Sequence, residues 1–101
     1  MARFDVYRLA RRSEARFVLD VQAGLLHELG TRIVVPLLSQ EVAPKPAKRL
    51  NPVFVIDDHS FVMMTQFMAA VPDCDLKKVV MSLSLYQDEI TQALDLLLTG
   101  F

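Results

Sequence analysis

The longest regular pattern in the chain is SLYQDEITQALDLLLTGF, residues 84–101. Tyr86, Ile90, Ala93, Leu94, Leu97 and Phe101 recur at three- and four-residue spacing, while Gln87, Asp88, Thr91, Gln92, Asp95 and Thr99 fall on the opposite side. That period predicts an amphipathic helix. Ser84 is its expected N-cap, with Gln87 three residues later to complete a capping box. Asp88 and Glu89 fall in the first turns, where the helix dipole favours negative charge. Gly100 supplies a stop. The closing Phe101 has two readings: a residue folded back onto the core, or a short plug for a partner's pocket.

Upstream the period changes to two. Phe4-Asp5-Val6-Tyr7-Arg8 alternates apolar and polar and predicts a half-buried strand. FVLDVQ, residues 17–22, predicts a second strand, with Asp20 as the one charge in an apolar run. TRIVVPLL, residues 31–38, predicts a third. Pro36 has no N–H for a ladder, so it is expected at an edge or a bulge. Residues 53–56 and 60–65 flank Asp57-Asp58-His59 and predict a hairpin, with His59 in the turn. Residues 66–71 are expected to run extended to Pro72. Asp73-Cys74-Asp75 reads as a turn, and residues 76–83 as a short strand before the helix.

The connections carry their own signals. Residues 9–15 read as a polar loop containing Arg11 and Arg12. Gly24 and Gly30 bracket a loop with adjacent leucines, Leu25 and Leu26. One is expected to pack inward and the other to be exposed as a contact site. Residues 39–52 hold three of the five prolines with Lys45, Lys48 and Arg49, a surface excursion rather than a linker. The plan is one domain over residues 1–101, mostly β with one C-terminal helix, its short strands forming a small, strongly bent sheet or barrel.

Composition narrows the function. With 101 residues and 52% hydrophobic content, the chain fills one core and has apolar residues to spare for a subunit interface. A net charge of −1 and a pI near 6.0 argue against broad binding to nucleic acid or anionic membrane. Cys74 is the only cysteine, so no internal disulfide or cysteine-based metal cluster is expected, and a reducing cytoplasm fits. The opening residues lack the apolar core of a signal peptide, and no apolar run reaches bilayer-spanning length. Candidate chemistry is sparse. No serine, histidine and carboxylate set reads as a triad, and His27 and His59 lack metal-ligand spacing. No glycine-rich phosphate loop is present, and a turn accounts for the Asp57-Asp58 pair. No metal or cofactor is expected. Arg8, Arg11, Arg12 and Arg16 form either a solvated loop or a seat for an acidic peptide, since arginine forks pair with carboxylates. The residues point to a binding protein more than to an enzyme.

An ordered set of segments resembles the CcdB family, the gyrase-poisoning toxins of bacterial toxin–antitoxin pairs. They are Phe4-Asp5-Val6-Tyr7, Val18-Leu19-Asp20-Val21-Gln22, Arg32-Ile33-Val34-Val35-Pro36-Leu37, and Met63-Met64-Thr65 leading to Ala70-Val71-Pro72. The helix from Glu89-Ile90 to Leu98 and the ending Thr99-Gly100-Phe101 complete the set. The resemblance implies an SH3-like small barrel with an added small sheet and a C-terminal helix, as in the related Kid and MazF toxins, assembled as a homodimer. It implies binding to the DNA gyrase A subunit, trapping of gyrase on cleaved DNA without catalysis, and neutralisation by a CcdA-like antitoxin. The gyrase-facing residues it implies are Leu25, Leu26, Gln87, Asp95, Thr99, Gly100 and Phe101. The antitoxin is expected at Arg8, Arg11 and Arg12. No direct nucleic-acid binding, membrane association or cofactor is implied. The chain departs from the best-known family pattern at its end: Thr99-Gly100-Phe101 stands for tryptophan-glycine-isoleucine, and Asp95 for an asparagine. Two alternatives stay open: an endoribonuclease toxin of the MazF/Kid type, using Arg8, Arg16 or Arg32 with Asp20, and an inactive structural homologue.

Overall fold

A computed structural model describes residues 2–9 and 16–100. Seven strands form one sheet: β1 (Asp5–Leu9), β2 (Phe17–Asp20), β3 (Thr31–Ser39), β4 (Val53–Ile56), β5 (His59–Met63), β6 (Ala69–Pro72) and β7 (Leu76–Ser82). Their order is β4-β5-β3-β2-β1-β7, with β6 branching from β3. All the pairings are antiparallel. The sheet curls into a half-barrel, and one helix, α1 (Gln87–Thr99), follows it. This is the mostly-β fold with a C-terminal helix that the sequence predicts.

Alternation decides the core. Val6 of β1, Phe17 and Leu19 of β2, Val35 and Leu37 of β3, Phe54 and Ile56 of β4, and Phe61 and Met63 of β5 share one buried cluster with Ile90, Ala93 and Leu94 of α1. The helix therefore closes this face of the sheet with one stripe. Phe17 and Phe61 meet edge to face, with ring centroids 5.2 Å apart. The opposite face carries a smaller cluster of Tyr7, Val18, Val34 and Leu76.

β3 is the central strand, and Pro36 lies within it rather than at an edge. β6 pairs with β3 as far as Val34, and β5 takes over at Leu37. The Pro36 carbonyl accepts from the Met64 N–H at 2.9 Å. In an extended strand the N–H of the same residue points the same way. The donor that proline lacks would thus have faced the gap between two partner strands.

The β4–β5 hairpin is tighter than expected. Ile56 pairs with His59, so only Asp57 and Asp58 form the turn and His59 is the first residue of β5. Both aspartates have positive φ, 52° and 64°, the signature of a type I′ turn that matches strand twist. Residues 66–71 are not extended throughout: a 3-10 turn, Thr65–Phe67, precedes β6.

The helix starts later than its pattern suggests. Residues Ser84–Tyr86 form a 3-10 turn, and neither that turn nor α1 has a side-chain cap at its N-terminus. The predicted capping box from Ser84 is absent. The Ser84 N–H is taken by the Ser82 hydroxyl at 3.2 Å. Ser84 lies inside the 3-10 turn, and the N-cap position of α1 falls to Tyr86. The C-terminal stop holds: Gly100 adopts φ 81°, and its N–H reaches the Asp95 and Leu96 carbonyls at 3.1 Å.

Candidate recognition surface

The surface is built from a buried polar knot outward. Asp20 and Arg32 lie on the same face of β2 and β3 and are 0% and 1% exposed. Arg32 Nη2 sits 2.7 Å and Nε 2.9 Å from Asp20 Oδ2. Burial pushes the Asp20 carboxyl above its ordinary pKa, and the hydrogen bonds from Arg32 and the Gln22 N–H oppose that rise. The pair is sealed from solvent and offers neither group to a substrate. As assembled, it is structural.

Gln22 extends the knot into the next turn. Its N–H donates to Asp20 Oδ1 at 3.0 Å, and its carbonyl accepts from Arg32 Nη2 at 3.2 Å. Its side-chain Nε2 donates to the Leu26 and Thr31 carbonyls, both at 3.1 Å, and its Oε1 accepts from the Ile33 N–H at 3.0 Å. One buried amide thus ties the middle of the Gly24–Leu29 3-10 turn to the start of β3. Gly30 closes the turn at φ 76°, a left-handed conformation that favours glycine. The FVLDVQ pattern places Gln22 at the end of a strand and does not predict this role. The signal was a polar residue directly following a run of buried positions.

The turn so held displays its leucines. Leu25 is 92% exposed and Leu26 47%. The expectation that one packs inward is corrected: Gln22 holds Leu26 by its backbone carbonyl, which leaves both side chains outside the core clusters.

The second group of expected residues lies on α1. Gln87, Asp95, Thr99 and Gly100 are all exposed. The Thr99 hydroxyl donates to the Asp95 carbonyl at 2.7 Å, so it is engaged by its own helix. Leu98 beside it is 69% exposed. Phe101 lies outside the described residues. The leucine turn and the helix end are held by different elements, the first by β2 and β3 and the second by its own C-cap.

Of the expected arginine seat, Arg11 and Arg12 lie outside the described residues. Arg8 is exposed on β1, with its guanidinium carbon 5.7 Å from the centroid of the Phe17 ring. Among the described residues no group of three or more histidine, cysteine, aspartate or glutamate side chains could hold a metal ion, and no helix is long and apolar enough to cross a membrane.

The chain is thus a curled sheet closed by one C-terminal helix, with bare leucines on a clamped turn. A model of the CcdB protein family matches residues 3–100, and the chain belongs to that family. It is accordingly a toxin of a toxin–antitoxin system.

Proposed function

We propose that this toxin binds the DNA gyrase A subunit, traps gyrase on cleaved DNA, and is neutralised by a CcdA-like antitoxin, acting in the cytoplasm as a non-catalytic homodimer. The observation that carries the reading is the leucine turn. Leu25 exposes almost its whole side chain, although Gln22 fixes the backbone beneath it. Apolar area held rigidly in water costs little to order on binding and gains affinity when covered. Gln87, Asp95, Thr99, Gly100 and Phe101 supply the remainder of the gyrase face. Asp95 adds a charge there that favours a basic counterpart on gyrase. Arg8, Arg11 and Arg12 receive the antitoxin, whose disordered acidic segment folds on contact.

Deleting Phe101 alone tests this reading and preserves the Gly100 cap. A recognition plug predicts an unchanged melting temperature and about tenfold or greater loss of affinity for the gyrase A subunit, since each decade is about 1.4 kcal/mol. A core role predicts a stability loss of about 1–3 kcal/mol with gyrase binding retained, and that outcome would remove Phe101 from the gyrase face. Leu25→Ala should weaken gyrase binding without lowering stability. Full affinity in that variant would remove the turn.

A further inference from the structure

The free edge of the sheet carries a feature that the family reading does not absorb. β7 ends the strand order, and Lys77, Lys78 and Val79 are exposed along it. Arg8 lies directly opposite Lys78 in the β1–β7 ladder. Like charges facing each other across a ladder destabilise it. Among the described residues neither cation has a carboxylate partner. Beside them opens a cleft of about 220 Å³ lined by Arg8, Lys78, Val79 and Val80. The register slips between Val6 and Tyr7, where Val80 is the unpaired residue, and again between Arg8 and Leu9. Bulges of this kind bend and twist the strand that carries them.

We infer that this cleft and the β7 edge seat an extended acidic segment of the antitoxin, with carboxylates between Arg8 and Lys78 and an apolar side chain on Val79 and Val80. The inference rests on the antitoxin reading above and moves its centre from the arginine loop to β7. Lysines and bulges on an edge strand keep similar strands from adding to it. The same features attract a chain of opposite charge, and a carboxylate seated between Arg8 and Lys78 would relieve their repulsion. The bulges restrict main-chain pairing to a short stretch, so the side-chain cleft supplies the selectivity.

The test uses the full-length toxin and two short synthetic peptides, one alternating glutamate with valine and the other glutamine with valine. In a nuclear magnetic resonance titration the glutamate peptide should shift the amides of Arg8, Lys78, Val79 and Val80, and the glutamine peptide should not. Lys78→Glu should abolish the shifts. Lys48→Glu makes the same change in net charge on the 39–52 excursion and should leave them. The purified antitoxin should bind Lys78→Glu about tenfold or more weakly than wild type and with a smaller salt dependence, as for loss of a charge-assisted contact. Equal response to both peptides, no response to the glutamate peptide, or equal effects of Lys78→Glu and Lys48→Glu would each overturn the seat. Antitoxin binding unchanged by Lys78→Glu would overturn its assignment to the antitoxin. Failure of the wild-type toxin to bind antitoxin at all would instead overturn the broader reading.

Discussion

Tyr7 shows how a single residue sets a measurable property. Its side chain is buried, yet among the described residues its hydroxyl has no hydrogen-bond partner. Burial, then the charges of Asp5 and Asp20, raise its pKa above the ordinary value. The folded state therefore holds the phenolic proton more tightly than the unfolded chain. By linkage its stability contribution is complete below the unfolded value of about 10 and is lost as pH rises above it. Tyr7→Phe removes an unsatisfied buried group and should leave stability at neutral pH equal or higher by up to about 1 kcal/mol. It should also flatten the alkaline decline in melting temperature. A clear loss of stability at neutral pH would show that the hydroxyl has a partner. Gln22 makes the complementary case. Gln22→Glu keeps the acceptor for the Ile33 N–H but removes, when ionised, both donors to the Leu26 and Thr31 carbonyls. It should cost about 1–3 kcal/mol, speed hydrogen exchange across the leucine turn, and weaken gyrase binding more than Leu26→Ala. Exchange in the turn unchanged from wild type would sink the clamp.

At the scale of elements, the β4–β5 turn gives a direct stability test. Asp57 and Asp58 both adopt the left-handed conformation, which asparagine and glycine accept at lower cost. Asp57→Asn with Asp58→Gly should stabilise the protein by about 0.5–1 kcal/mol, read as an increase in the denaturant midpoint. An unchanged or lower midpoint would mean that tertiary contacts, not turn preference, set those angles. The alternating or apolar runs of β1 to β5, the stripe of Ile90, Ala93 and Leu94, and the Gly100 stop were legible because each depends on residues close in sequence. Three features were not. The position of Pro36 in a central strand depends on where two distant strands exchange along β3. The absent Ser84 cap depends on how the chain leaves β7. The positive φ of Phe4, 74°, is held by non-local hydrogen bonds: its N–H to the Asp20 carbonyl and its own carbonyl from the Leu83 N–H. The site divided in the same way. The bare leucines could be suspected from their bracketing glycines, whereas the amide beneath them and the cationic cleft at Lys78 arise from strand pairing.

For the whole molecule the issue is what covers the apolar groups that the fold leaves out. The helix buries Ile90, Ala93 and Leu94 but leaves Leu97 and Leu98 outside, and Leu85 just before it is 93% exposed. Scattered apolar side chains are ordinary on a monomer, but Leu97 and Leu98 are adjacent and exposed at the helix end, where water disfavours them. A second copy related by a two-fold axis would meet these leucines with the same leucines, and would bring two helix ends together into one larger face. Sedimentation at micromolar concentration should therefore give twice the 11.4 kDa chain mass. Leu98→Glu should shift the equilibrium to monomer while the circular dichroism spectrum of the folded chain persists, because Leu98 contributes nothing to the core clusters. If gyrase recognition needs both helix ends, that variant should lose gyrase binding in step with dimerisation, and higher protein concentration should restore both together. A wild-type monomer at high concentration would end the dimer reading. A Leu98→Glu dimer of undiminished affinity would move the interface off the helix end and leave the leucine turn to act from each chain alone.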